Sequence, residues 1–210
     1  MAITLYGERK WYSPYVFTAY VALAEKGLVF QLKELDLAKG EAQAQGFVDS
    51  TLIGKVPAID HDGFWLSESL AIAEYLAETF PFPHHPRLFP ADLKERGRAR
   101  QLMMWLRTDL LPLRQERTTE NMFYTRAQAP LSAAAQDSAA ALIRVVSAVL
   151  PEGKTQLFSN WSIADAEVAF CLQRLGLNGD PLPKKLQDFV DVQWARPTVQ
   201  AFVNHPRPKL

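Results

Sequence analysis

The sequence predicts an α/β domain followed by an all-α domain, on three observations. Strand and helix patterns alternate over residues 1–82, a proline-rich stretch interrupts the chain at 83–90, and helical periodicity alone runs from 91 to 210. With 210 residues and 48% hydrophobic content the chain is long enough to bury a core in each part.

Residues 2–6 (AITLY) form a β-rich run, and the polar GERKWYS after them reads as a loop entering a helix. That helix is PYVFTAYVALAEK, with Ser13 at its N-cap, Pro14 in its first turn and Gly27 as its stop. FQLKELDL (30–37) alternates as a strand, and the usual right-handed crossover returns it parallel to the first, giving a βαβ unit. The Ala/Gln/Gly-rich stretch 38–53 has weak periodicity and reads as a short irregular helix with a loop. VPAID, HDG and FWLS (56–67) read as strand, tight turn, strand, with Asp62-Gly63 supplying the turn; SLAIAEYLAETF is the next helix. The order βαβ then ββα is that of the thioredoxin fold. PFPHHPRLFP (81–90) is a stiff extended connector. Amphipathic runs at about 92–124, 131–150, 162–175 and 183–203 then predict a helical bundle.

Charge excludes some functions. Lys+Arg and Asp+Glu both total 23, so no global field draws the chain to nucleic acid or an anionic membrane. The one cysteine, Cys171, cannot close an internal disulfide, and the four histidines show no metal-ligand spacing. No signal-like segment opens the chain and no apolar run is long enough to span a bilayer. The expectation is a cytoplasmic protein with no metal.

Local motifs narrow the reading further. Ser13-Pro14-Tyr15-Val16 resembles the C-P-Y-C motif of glutaredoxins with both cysteines replaced, placed between the first strand and first helix. Val56-Pro57 opens the third strand, and LSESLAIAEYL (66–76) resembles the signature L-x-E-S-x-A-I-x-x-Y-L. Ser162-Ile163-Ala164-Asp165 resembles a helix-capping S/T-x-A-D motif. Together these resemble the cytosolic glutathione S-transferases over nearly the whole chain, which implies their fold: a thioredoxin-like N-terminal domain and an all-helical C-terminal one. VALAEKGL, WLRTDLLPLRQER and LFPADL are similar to a bacterial subgroup, the YfcF-like glutathione transferases.

The resemblance implies glutathione as cosubstrate, an electrophile or organic hydroperoxide as second substrate, and a homodimer. It assigns Ser13 to stabilising the glutathione thiolate. A thiol of pKa about 8.5 is only a few per cent ionised at neutral pH. A charge-assisted hydrogen bond of roughly 1.5–3 kcal/mol lowers that value by about 1–2 units. A cysteine at position 13 would itself be the nucleophile; a serine only stabilises an anion held by another molecule. Tyr6, Tyr12 and Tyr15 are alternative donors, Tyr12 first. A cis Val56-Pro57 peptide, implied by the resemblance, would offer the Val56 backbone to the cysteinyl residue. Ser69 would hold the γ-glutamyl carboxylate, Glu68 its ammonium and Lys55 the glycyl carboxylate. Each also has an ordinary structural explanation: a helix cap for Ser13, Glu68 and Ser69, an edge-strand proline for Pro57, a solvated lysine for Lys55. Tyr12, Trp105, Asp109 and Phe123 are candidates for a second-substrate pocket, and Arg107, Arg114, Arg117 and Trp161 are further aromatic and cationic side chains that could wall it, each with core packing or a solvated helix face as its ordinary explanation. Ser162 and Asp165 form a structural capping box. Two other readings stay open: a non-catalytic binding or regulatory protein of the same fold, and a glutathione-dependent isomerase or dehalogenase. Against the isomerase branch, the S-S-C-x-x-R loop pattern is missing.

Overall fold

The computed structural model describes residues 2–209 and divides into two compact units, one comprising residues up to Leu88 together with the segment from Gln200 onward, the other Phe89–Val199.

The first unit is built on β1 (Ile3–Glu8), α1 (Pro14–Glu25), β2 (Gln31–Leu35), α2 (Gln45–Thr51), β3 (Ala58–His61), β4 (Phe64–Ser67) and α3 (Ser69–Thr79). The sheet order is β2-β1-β3-β4, with β1 parallel to β2 and antiparallel to β3, the thioredoxin-like arrangement. β1 is a central, nearly fully buried strand, while edge strand β2 is largely exposed and carries Lys33 and Glu34. Asp62 and Gly63 take φ 51 and 91, the left-handed pair that a two-residue hairpin needs. The stretch 38–53, expected to be a short irregular helix with a loop, is entered by a 3₁₀ turn at Leu37–Lys39 and holds a second at Glu41–Gln43 before α2. Helix α1 lies so close to β1 that a Cβ on Gly7 would stand 2.8 Å from Val16 Cγ1. Glycine at that position therefore sets how near the start of α1 comes to the strand.

The second unit holds α4 (Leu93–Thr108), α5 (Leu111–Glu116), α6 (Thr119–Phe123), α7 (Ala133–Val149), α8 (Ile163–Gly176) and α9 (Lys184–Trp194); α10 (Pro197–Val203) straddles the division between units. The expected single run 92–124 is three helices. Leu110 sits at φ 59 with Pro112 behind it, and Thr118 caps a fresh helix through a capping box with Asn121. The run 183–203 likewise breaks before Pro197, whose ring disfavours a helical Arg196. Helix α8 is buried along Ile163–Leu175 and forms the centre of this unit. Its charged residues are paired: Glu167 accepts from Arg107 at 2.5 Å, and Arg174 donates to the Arg117 carbonyl at 2.7 Å.

Candidate active site

Strand register gathers the first unit's candidate residues at one edge of the sheet. Glu8 pairs with Leu35, Tyr6 with Ala58, and Ala58 with Ser67. The end of β1, the start of β3 and the ends of β2 and β4 therefore share that edge. Ser13 follows β1, Val56-Pro57 precedes β3, and Glu68-Ser69 follows β4. In open α/β sheets such an edge, outside the carboxyl ends of parallel strands, is where ligands sit.

Ser13 is the N-cap of α1, with φ −65 and ψ 125, and is half-buried. Its Oγ accepts the backbone N–H groups of Tyr15 and Val16, both at 3.3 Å. Those bonds use the oxygen's lone pairs and leave its proton available. Capping and donation to a ligand are thus compatible in one hydroxyl, and the two N–H donors polarise the O–H for the second task.

The Val56–Pro57 peptide is cis, as is Phe82–Pro83. Val56 is half-buried and Lys55 exposed. Glu68 sits at φ 69 and ψ 113, outside the ordinary regions for an L-residue, and caps α3 with no side-chain hydrogen bond. Its carboxylate is exposed, and Ser69 behind it is buried. The Glu68 side chain is thus not used in capping α3.

Among the alternative donors, Tyr6 is buried, packs against Phe47 and Trp65, and its phenol oxygen lies 3.4 Å from Lys33 Nζ. Tyr12 and Tyr15 are half-buried, and Lys10 Nζ lies 5.9 Å from the Tyr12 ring centre. A cavity of about 440 Å³ opens beside Tyr12, walled by Glu8 to Lys10, by Leu35 to Ala38 and by Pro208 and Lys209 of the tail.

The sequence reads GERKWYS as a polar loop leading into a helix and assigns no role to Glu8, Trp11 or Arg207. In the structure Glu8 is 4% exposed, and its Oε1 accepts the N–H groups of Tyr12 and Ser13, each at 2.7 Å. Burial pushes the Glu8 carboxyl up; the N–H groups of Ser13, Glu8 itself and Tyr12 and the Arg207 charge oppose that. The one available signal was an acid closing an apolar strand.

In the helical unit Trp105 and Phe123 are half-buried and Asp109 is exposed, ending α4. Phe123 packs toward Phe170 at 6.0 Å between ring centres. The nearby cations are engaged: Arg107 with Glu167, Arg114 with the Arg107 carbonyl at 2.6 Å, Arg117 with Asp180 at 2.5 Å. Trp161 donates to Gln193 at 3.0 Å and has Arg196 over its ring. Ser162 and Asp165 are both fully buried; one Asp165 oxygen accepts from the Ser162 N–H and hydroxyl, the other from the Leu157 N–H at 2.7 Å. Burial raises the Asp165 carboxyl to about 6. Cys171 is buried and burial pushes its thiol up, the opposite of a reactive cysteine. Among the described residues no group of three or more His, Cys, Asp or Glu side chains is placed to hold a metal ion.

A thioredoxin-like unit with a serine-capped first helix, followed in sequence by a helical unit, defines a class of two-domain proteins. The family description "Glutathione S-transferase, N-terminal domain" matches residues 1–78, and "Glutathione S-transferase, C-terminal domain" matches 92–206. A glutathione transferase homolog from Burkholderia, solved with bound glutathione, is 38% identical, with 97% of this chain and 96% of that one covered and a TM-score of 0.78. The chain belongs to the glutathione S-transferase family. A diazinon-metabolizing glutathione S-transferase of the silkworm Bombyx mori, 18% identical over 97% of this chain and 96% of that one, shares the fold at a TM-score of 0.79. Mouse glutathione S-transferase theta-3 is 34% identical over 91 residues, which are 43% of this chain and 37% of that protein. The chain thus matches well under half the length of that curated relative.

Proposed function

We propose that this chain is a glutathione transferase: it binds reduced glutathione at the sheet edge of its first unit, ionises the thiol beside Ser13, and delivers the thiolate to an electrophile or an organic hydroperoxide. The observation that carries the reading is the convergence, through strand register, of the Ser13 cap, the Val56–Pro57 cis peptide and the Glu68–Ser69 helix start. These are what a thiol-bearing peptide with a zwitterionic end requires. The Val56 backbone pairs with the cysteinyl residue as a short added strand. Ser69 at the start of α3 takes the γ-glutamyl carboxylate, Glu68 its ammonium, and Lys55 the glycyl carboxylate. Ser13 donates to sulfur, with Tyr12 the alternative donor. Trp105, Asp109 and Phe123 are the helical unit's candidates for second-substrate contact.

The working assembly is a homodimer, as the family membership suggests, and the exposed Leu52 (84%), Phe64 (50%) and Phe82 (56%) supply apolar surface for it. The proposed setting is the cytoplasm: no helix among the described residues is long and apolar enough to cross a membrane, and the lone cysteine suits a reducing compartment. Titration calorimetry with reduced glutathione tests the core of the reading. Uptake at or below millimolar concentration is expected, and its absence removes the proposed function; light scattering tests the dimer separately.

A further inference from the structure

Glu8 is an expensive residue where it stands. Its side chain is 4% exposed, Oε1 carries two short N–H bonds, and Oε2 has no hydrogen-bond partner among the described residues. An apolar residue closing β1 would avoid that desolvation. The carboxylate gathers the consecutive N–H groups of Tyr12 and Ser13 onto one oxygen, an anion-binding hollow filled by the chain's own acid.

That hollow exists because Trp11 turns the chain at φ 49, a conformation bulky L-residues rarely adopt and keep only when their surroundings over-determine them. The indole is fully buried and donates to Glu34 at 2.5 Å. The Trp11 carbonyl accepts Arg207 Nε at 2.9 Å. The same guanidinium is anchored in its own tail by the carbonyls of Val203 at 2.6 Å, His205 at 3.1 Å and Phe202 at 3.2 Å. The remaining charges bordering the adjacent cavity are Arg9, Lys10, Asp36 and Lys209. Ser13 is therefore fixed from both sides: by Glu8 on its N–H, and by α1, whose Phe17 N–H takes the Ser13 carbonyl at 3.0 Å.

We infer that Glu8 and Arg207 are positioning residues, which hold the Trp11–Ser13 turn from either side so that the Ser13 hydroxyl keeps one direction toward the substrate sulfur. The inference rests on the reading of Ser13 as the thiol's hydrogen-bond donor. Neither side chain touches sulfur; both act through the serine, as an outer shell acts on a metal ligand.

The test uses Glu8→Gln and Arg207→Gln, each alone and combined with Ser13→Ala. The readouts are the kinetic pKa of bound glutathione, from the pH dependence of kcat/KM with a chlorodinitrobenzene, and glutathione Kd by calorimetry. Glu8→Gln keeps the side chain's shape and one acceptor while removing its charge. It is expected to raise that kinetic pKa by about half to one unit and lower kcat/KM near pH 6.5 by about 3–10-fold, with Kd changed less than about twofold. Arg207→Gln moves the same way by less, and as a tail substitution it carries the test if Glu8→Gln does not fold. In the Ser13→Ala background neither change adds a further shift. Equal shifts with and without Ser13 overturn the inference, because the effect then does not pass through the serine. If Ser13→Ala raises the pKa and neither other variant does, the inference falls and the reading of Ser13 survives. An unmoved pKa in Ser13→Ala alone removes both.

Discussion

Helices α1 and α8 both begin at a serine, and the two hydroxyls do opposite things. At α8 the residue three positions on is Asp165; the Ser162 hydroxyl donates to its carboxylate at 3.0 Å, and both residues are fully buried. At α1 the same position is Val16, which has no acceptor to offer, so the Ser13 oxygen only receives N–H groups and its proton stays available at a half-buried edge. A closed cap spends every polar atom on the fold. An open one uses only part and leaves one donor that the cap does not need.

The sharpest way to break this contrast is to remove the acid of the closed cap. Asp165→Ala strands the Leu157 N–H, the Ser162 N–H and the Ser162 hydroxyl in a buried setting. Urea unfolding should show a loss of about 2–4 kcal/mol, with the kinetic pKa of bound glutathione unchanged. A loss below half a kcal/mol would mean that the box is decoration.

Ser13→Ala should do the reverse. Stability falls by about 1 kcal/mol, the ordinary cost of a lost cap. The kinetic pKa rises by about 1–2 units and kcat/KM near pH 6.5 drops roughly 10–100-fold. An unchanged pH–rate profile would take Ser13 out of the chemistry and leave it a cap like any other.

The closed cap also has a pH signature. Asp165 is held at about 6 against an ordinary 3.8, so the folded chain binds that proton more tightly than the unfolded one. Stability from this group therefore rises as pH falls through about 6 and levels off below the unfolded value. Relative to Asp165→Asn, which has no such proton, the natural chain should gain about 1–2 kcal/mol between pH 7 and pH 4.5 in paired urea titrations. A gap that is constant with pH would place the Asp165 carboxyl at its ordinary value.

The first unit was easy to read because its punctuation is local. Asp62-Gly63, Ser13-Pro14 and Gly27 each dictate a backbone conformation within a few residues, and the strands between them followed. The helical half was legible as helices but not in its breaks: Leu110 is buried and left-handed, and nothing in LRTDLLPL announces it except Pro112. Ser13, Val56, Glu68 and Ser69 were found by motif, and register then placed them together. Glu8 and Arg207 stayed hidden because a charged residue in a polar run or a tail looks solvated. Only tertiary structure buries the first and sets the second on the Trp11 carbonyl.

A third helix start extends the comparison and gives the smallest effect. At helix α3 the Glu68 side chain makes no cap bond; Glu68 stands at φ 69 and is exposed, a backbone geometry that costs stability for an L-residue. If that cost keeps the carboxylate available for the glutathione ammonium, Glu68→Gly should relieve it and raise stability by up to about 1 kcal/mol, while weakening glutathione binding about 5–10-fold. Glu68→Ala should lose the same affinity without the gain, since alanine keeps the backbone penalty. Thermal unfolding and calorimetry on the pair separate backbone from carboxylate. Undiminished affinity in both variants would leave α3 with a strained start that no ligand explains.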